Sequence, residues 1–250
     1  MAKKFGAHDI RRKGLQRTAG SACDRSAPLA CPGDPLSVSP ETLLREAVRA
    51  CSIADIETLV QRGADVNARD EGGETALTWA TGVELGAAKA EACVLYLLSL
   101  GARVSEESPA GGMGTSVHQA AEHGYAGALM ALLRADGRVS LNCFDDMGRT
   151  PLICAVDNKR ILEATVLLQA GADVNAHDSD KIGNSALSYA VMNDDLPMVQ
   201  LLLAHGADPA AGGWMQLSAM DRARKRALKG SAPESTAIVE LLEKEIERRK

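Results

Sequence analysis

Between residues 39 and 245 the apolar and polar positions change phase on a regular schedule. Short stretches open on Thr or Ser and then place small and branched apolar residues at helical spacing. The clearest is Thr150-Pro151-Leu152-Ile153-Cys154-Ala155. Looser copies open at Thr42, Thr75, Thr115, Ser185 and Ser218, so the openings step by 33, 40, 35, 35 and 33 residues. A Thr or Ser there predicts a helix N-cap, because its oxygen accepts from the first free backbone N–H groups. Pro is tolerated in the first turn that follows, and the Ala six positions in lets neighbouring helices approach. A second apolar run follows each opening and ends in paired aliphatics, as at Leu59-Val60, Leu97-Leu98, Leu132-Leu133, Leu167-Leu168 and Leu202-Leu203. These runs predict a second helix per unit. After them, Gly63-Ala64-Asp65-Val66-Asn67-Ala68 recurs letter for letter at Gly171–Ala176, with a short copy at Gly206-Ala207-Asp208-Pro209. A Gly in that place ends a helix in the left-handed conformation. Asp and Gly at Asp70–Gly73 and Asp145–Gly148 then predict a turn to the next unit. Self-similarity at this period predicts an array in which each helix pair buries its apolar face against the next.

The units fall near 39–69, 70–105, 110–144, 145–177, 178–211 and 213–245, with a basic end at 246–250. The second is long: 21 residues separate Ala80 from Gly101, against 16 from Ala155 to Gly171. Its five extra residues are expected around Thr81–Ala90, between the helices. The third has Asp136-Gly137 where Gly-Ala is expected, and the sixth has an insertion at Lys229–Ser235. Residues 1–38 mix basic residues with Gly, Ser and Pro without helical periodicity, and they are expected to form a disordered tail. A transit peptide, or a nuclear address at Lys3-Lys4 or Arg11-Arg12-Lys13, is the competing reading of that tail.

The order Asp-x-x-Gly-x-Thr-Pro-Leu-x-x-Ala, then Leu-Leu-x-x-Gly-Ala-Asp-x-Asn, resembles the ankyrin repeat. Residues 145–177 carry it most fully, and copies in register cover about four-fifths of the chain. The resemblance implies an all-α solenoid of about six repeats, each a helix-turn-helix with a hairpin finger. It also implies a protein-binding scaffold or adaptor whose partner docks in a concave groove formed by the finger tips and the exposed side of the first helices. Carried onto this sequence, those positions are Glu71, Glu74, Thr81, Val83, Glu122, His123, Asp146, Met147, Arg149, Asp157, Asn158, Lys181, Ile182, Asn184, Met192 and Asn193. His118, at the repeat's own His position, is expected to bond backbone between units. Asn67 and Asn175 resemble sites hydroxylated in other ankyrin repeats; as residues, they read as hydrogen-bonding anchors of the turn.

Charge sharpens the partner. The net charge of -5 divides into +4 over residues 1–40, −12 over 41–220 and +3 over 221–250. An acidic body favours a basic protein partner. It argues against nucleic acid, as do aromatics at 3%. Nucleic-acid association through the basic ends, or service as a regulatory subunit of an enzyme, are the alternatives. Cys23, Cys31, Cys51, Cys93, Cys143 and Cys154 have neither Cys-x-x-Cys nor a paired framework, which points to a reducing, cytoplasmic or nuclear compartment. No run of 18 apolar residues occurs, so no membrane span is expected.

Catalytic chemistry finds no constellation. His177 and His205 lack Cys or Glu at ligand spacing. Asp178, Asp180 and Asn184 around Gly183 miss the order of a calcium loop. Gly111-Gly112-Met113-Gly114 lacks the Lys-Ser/Thr of a phosphate loop. The sequence therefore predicts no enzyme, no cofactor and no metal, and a monomer that acts through its surface.

Overall fold

Thr150 and Ser185 stand at helix N-termini, and their side-chain oxygens accept from Ile153 N–H and Ser188 N–H at 3.3 Å. Ser218 does the same for Asp221 and receives that side chain in return, closing a capping box. At the first opening the cap is one turn earlier than the pattern suggests. Ser39 accepts from Thr42 N–H, Pro40 fills the first helical position, and Thr42 lies inside the helix.

The computed structural model describes residues 39–70, 72–82, 85–104, 107, 114–178, 183–211, 217–229 and 233–249; the basic tail 1–38 lies outside them. Among the described residues six helix pairs follow one another: α1 (Pro40–Arg49) and α2 (Ile53–Gln61), α3 (Ala76–Gly82) and α4 (Ala87–Ser99), α5 (Ser116–His123) and α6 (Ala126–Ala135). They continue with α7 (Pro151–Asp157) and α8 (Ile161–Ala170), α9 (Ala186–Met192) and α10 (Leu196–Ala204), and α11 (Ala219–Leu228) and α12 (Pro233–Arg248). The first helices pack in sequence, α1 on α3, α3 on α5, and so on to α11. Among the second helices α4 packs on α6, α6 on α8 and α10 on α12.

One apolar seam runs through these layers. Ile56, Leu97, Leu132, Leu167, Leu202 and Ile238, from the second helices, are all fully buried against Leu77, Val117, Leu152 and Leu187 from the first. Each such side chain contributes roughly 1.5–3 kcal/mol. The small residues expected to allow close approach, Ala80, Ala120, Ala155, Ala190 and Ala223, are buried in the first-helix layer.

The extra residues of the second repeat divide unevenly. Aligned on Gly101 and Gly171, α4 begins a full turn earlier than α8, and only one residue lengthens the connection from α3. The insertion is therefore mostly an extension of α4 at its N-terminus. In the third repeat Gly137 does not take the left-handed role. It is buried at the start of a 3-10 turn (Gly137–Ser140), and a Cβ there would lie 2.7 Å from Leu132 O.

Candidate interaction surface

Two of the fingers are each organised by an aspartate. Asp145 Oδ1 accepts from Met147 N–H and Arg149 N–H at 2.9 and 2.8 Å, while Asp145 N–H donates to Arg149 O. Asp70 repeats the arrangement with Gly72 N–H and Glu74 N–H at 2.8 and 3.0 Å. This side-chain mimicry of a turn is why the Asp and Gly recur at that spacing. It fixes the tip residues, and Asp146 and Met147 project into solvent, Met147 with 52% of its surface exposed.

Arg149 ties the finger to the helices behind it. Its guanidinium lies 3.0 Å from Asp145, 3.6 Å from Glu122 and 4.0 Å from Asp157. Burial disfavours its charge, yet negative neighbours, Asp145 and Glu122 among them, hold its pKa above the ordinary value. The cluster brings together four residues from the fourth finger, α5 and α7, and three carboxylates around one cation leave it net negative. At the second finger, burial first and Asp70 second raise the Glu74 pKa.

The remaining expected surface residues sort by what they touch. His123 is half-buried, its ring 5.8 Å from that of Tyr125. Asn158 is exposed and turns its amide back to Cys154 O. Asn193 bridges repeats by donating to Asp157 O at 3.1 Å. Met192 is 38% exposed, and its sulfur receives Arg222 Nη1. Asn184 is 6% exposed, with its oxygen 2.7 Å from Arg222 Nη2, so its side chain serves packing between the fifth and sixth repeats. Thr81 is also buried and spends its hydroxyl on Leu77 O and Thr78 O of its own helix. Glu71, Val83, Lys181 and Ile182 lie outside the described residues. Trp79 packs against α1, with the guanidinium groups of Arg45 and Arg49 5.2 and 5.5 Å from its ring.

Two buried polar devices hold these surfaces in register. His118 Nδ1 accepts from Thr115 N–H at 3.2 Å and its Nε2 donates to Cys143 O at 3.0 Å, tying α5 to the segment that leads into the fourth finger. Burial lowers its pKa to about 4, so it is neutral with the proton on Nε2. The Asn residues form a ladder. Asn67 donates to Gly101 O and accepts from Arg103 N–H. Asn175 repeats both bonds with Gly206 and Asp208, and Asn142 accepts from Asp173 N–H. These bonds anchor one repeat to the next rather than a turn to itself. Asn142 escaped sequence reading because its repeat lacks the Gly-Ala-Asp letters, but its distance of 33 residues from Asn175 marks it.

Glu107 is the functional-looking residue that the sequence hid. It is 7% exposed and accepts from Ser116 N–H at 2.7 Å, Ser116 Oγ at 3.0 Å and Thr75 Oγ1 at 3.2 Å. Burial raises its pKa to about 7, against the pull of those three donors. It caps α5 and clasps the second repeat to the third. Among the described residues no cluster of three or more His, Cys, Asp or Glu forms a metal site, and no helix is long and apolar enough to cross a membrane.

The ankyrin-repeats family model matches in three copies over residues 85–178 and 117–213, more than half of the chain. The chain belongs to the ankyrin-repeat family. The Asp-held fingers, the His118 bridge and the Asn ladder are therefore the ankyrin stacking apparatus of this chain. Among solved structures, the ankyrin repeat domain of Bcl-3, a member of the IkappaB protein family, is 31% identical, with a TM-score of 0.64 over 80% of this chain and 85% of that one. Ankyrin repeats are interaction modules, and binding to other proteins is the general function this architecture supports.

Proposed function

We propose that this chain is a non-enzymatic adaptor that holds a basic protein partner on its finger face, the concave side of an ankyrin solenoid. The observation that carries the proposal is the Arg149 cluster. Its one cation is already surrounded by Asp145, Glu122 and Asp157, so a partner meets surplus negative charge beside the exposed Met147 and Asp146. An apolar side chain ringed by acids combines an anchor with electrostatic steering. Because Asp145, His118 and the Asn ladder already fix the tips, little ordering is required on binding. The likeness to a repeat domain of an IkappaB-family member supports a regulatory role for such an adaptor, acting as a monomer in the cytoplasm or nucleus.

The test is capture from cell extract with three baits matched for helicity by circular dichroism. One is wild type. One carries Glu71→Lys, Glu74→Lys, Asp146→Lys and Asp157→Lys. The third carries Met147→Ser, Ile182→Ser and Met192→Ser. A partner lost by both variants, and released from wild type by added salt, fits the proposal. A partner retained by both removes the finger face from consideration.

A further inference from the structure

The layer of second helices has a groove of its own, and its charge is opposite to that of the finger face. α6 and α8 lie side by side, and between their C-terminal halves runs an open groove of about 480 Å³. Met130, Leu133 and Val166 form its apolar lining. Met130 is 39% exposed, and Leu162, one turn before Val166 on α8, is 67% exposed and extends the apolar strip. Arg134 and Arg138 stand at the rim, both exposed.

These two arginines differ from the ion-paired arginines of the array. Arg149, Arg224, Arg226, Arg248 and Arg249 all meet a carboxylate within 4.0 Å. Among the described residues, Arg134 and Arg138 form no ion pair and no side-chain hydrogen bond. Arg134 lies in the last turn of α6, where a cation favours the helix dipole. That accounts for one arginine and not for the pair. Residues 41–220 have a net charge of −12, so two unpaired cations flanking an apolar groove are a local reversal of the body's field.

We infer that this groove docks an acidic amphipathic segment of a partner protein, with one or two aliphatic side chains between Met130, Leu133 and Val166 and carboxylates on Arg134 and Arg138. The apolar lining supplies the anchor. The arginines select the sign of the flanking charge, because a guanidinium pairs with a carboxylate in a fixed, often bidentate geometry. A basic segment is repelled at this rim and drawn to the finger face. The two surfaces thus sort partners by charge, which allows one chain to hold two partners at once.

The test uses the full chain and a fluorescein-labelled helical peptide with two leucines one turn apart flanked by glutamates, read by fluorescence anisotropy. Its twin replaces every glutamate with lysine. The glutamate peptide is expected to bind, and its affinity to fall at least about tenfold in Arg134→Glu/Arg138→Glu and again in Met130→Asp. All three positions are exposed, so the variants should keep the wild-type circular dichroism. The proposal is overturned if the glutamate peptide does not bind, if both peptides bind alike, or if the arginine variant binds unchanged. Loss of binding in Met147→Ser instead would put the peptide on the finger face. A concentration-dependent dimer in sedimentation equilibrium that Met130→Asp abolishes would assign the groove to a second copy of the chain, which also overturns it.

Discussion

At the scale of single residues, the third repeat buries two titratable groups whose effects oppose each other. His118 is depressed to about 4 from 6.5, so the unfolded chain binds more protons between those values and stability is lost as pH falls through them. Glu107 is raised to about 7 from 4.5, so the folded chain binds more protons and stability is lost as pH rises through that window. Each slope is about 1.4 kcal/mol per pH unit, in opposite senses. Over their shared window, pH 4.5 to 6.5, the two contributions nearly cancel. Glu107→Gln keeps an acceptor for Ser116 and removes one of them. The difference in stability between variant and wild type should therefore grow with pH by about 1.4 kcal/mol per unit from 4.5 toward 7. Urea midpoints at several pH values would show it, and a constant difference would mean that Glu107 does not titrate in that range. The Asn ladder makes a second prediction. Asn175→Ala strands Gly206 O and Asp208 N–H together and should cost about 1–2 kcal/mol in the same assay. Both Asn residues were legible because the six-letter repeat carries them. Glu107 was not, because no repeat partner shares its position and only folding brings it to Thr75 and Ser116. Asn184 looked like a finger-tip residue for the converse reason: Arg222, which covers it, is 38 residues away.

At the scale of elements, local chemistry set what could be read. Helix existence followed from the caps and the apolar spacing, and most openings were capped by the Thr or Ser that the pattern named. The exception was α1, where Ser39 with Pro40 offers a better start than Thr42. The length of the second-repeat insertion was visible, but its form was not. Ala87-Ala88-Lys89-Ala90 are strong helix formers, so the added residues extend α4 rather than loop out. Glycines show the same division between letter and context. Gly171 has φ +96 and open space around its missing Cβ, so Gly171→Ala should cost only the left-handed strain, about 1–2 kcal/mol. Gly137 needs no unusual φ, but its Cβ would meet the Leu132 carbonyl at 2.7 Å, a backbone atom that cannot rotate away. Gly137→Ala should cost more, about 3 kcal/mol, by overpacking at the end of α6. Thermal melts of the two variants would rank them, and the reverse order would refute this account of the third repeat.

At the scale of the whole molecule, contacts between neighbours dominate, and stability should behave as a chain of coupled units. The ends then matter differently from the middle. α12 packs on α10 and α11 and buries Ile238 and Leu242. Polar contacts assist it: Ser235 donates to Asp194 at 2.8 Å, and Arg226 pairs with the same carboxylate. Among the described residues it has a neighbouring repeat on one side only. Leu167, equally buried, lies on α8 with repeats on both sides. Truncating either side chain should remove a comparable amount, about 2–5 kcal/mol. The consequences should diverge. Leu167→Ala breaks the seam at its centre and should move the main urea transition to lower concentration for every repeat. Ile238→Ala weakens only the last interface, so amides of α11 and α12 should lose hydrogen-exchange protection at a urea concentration where α5 to α8 remain protected. Equal loss of protection along the chain in Ile238→Ala would mean that the six repeats open as one unit, and that coupling between neighbours exceeds the stability of the terminal pair.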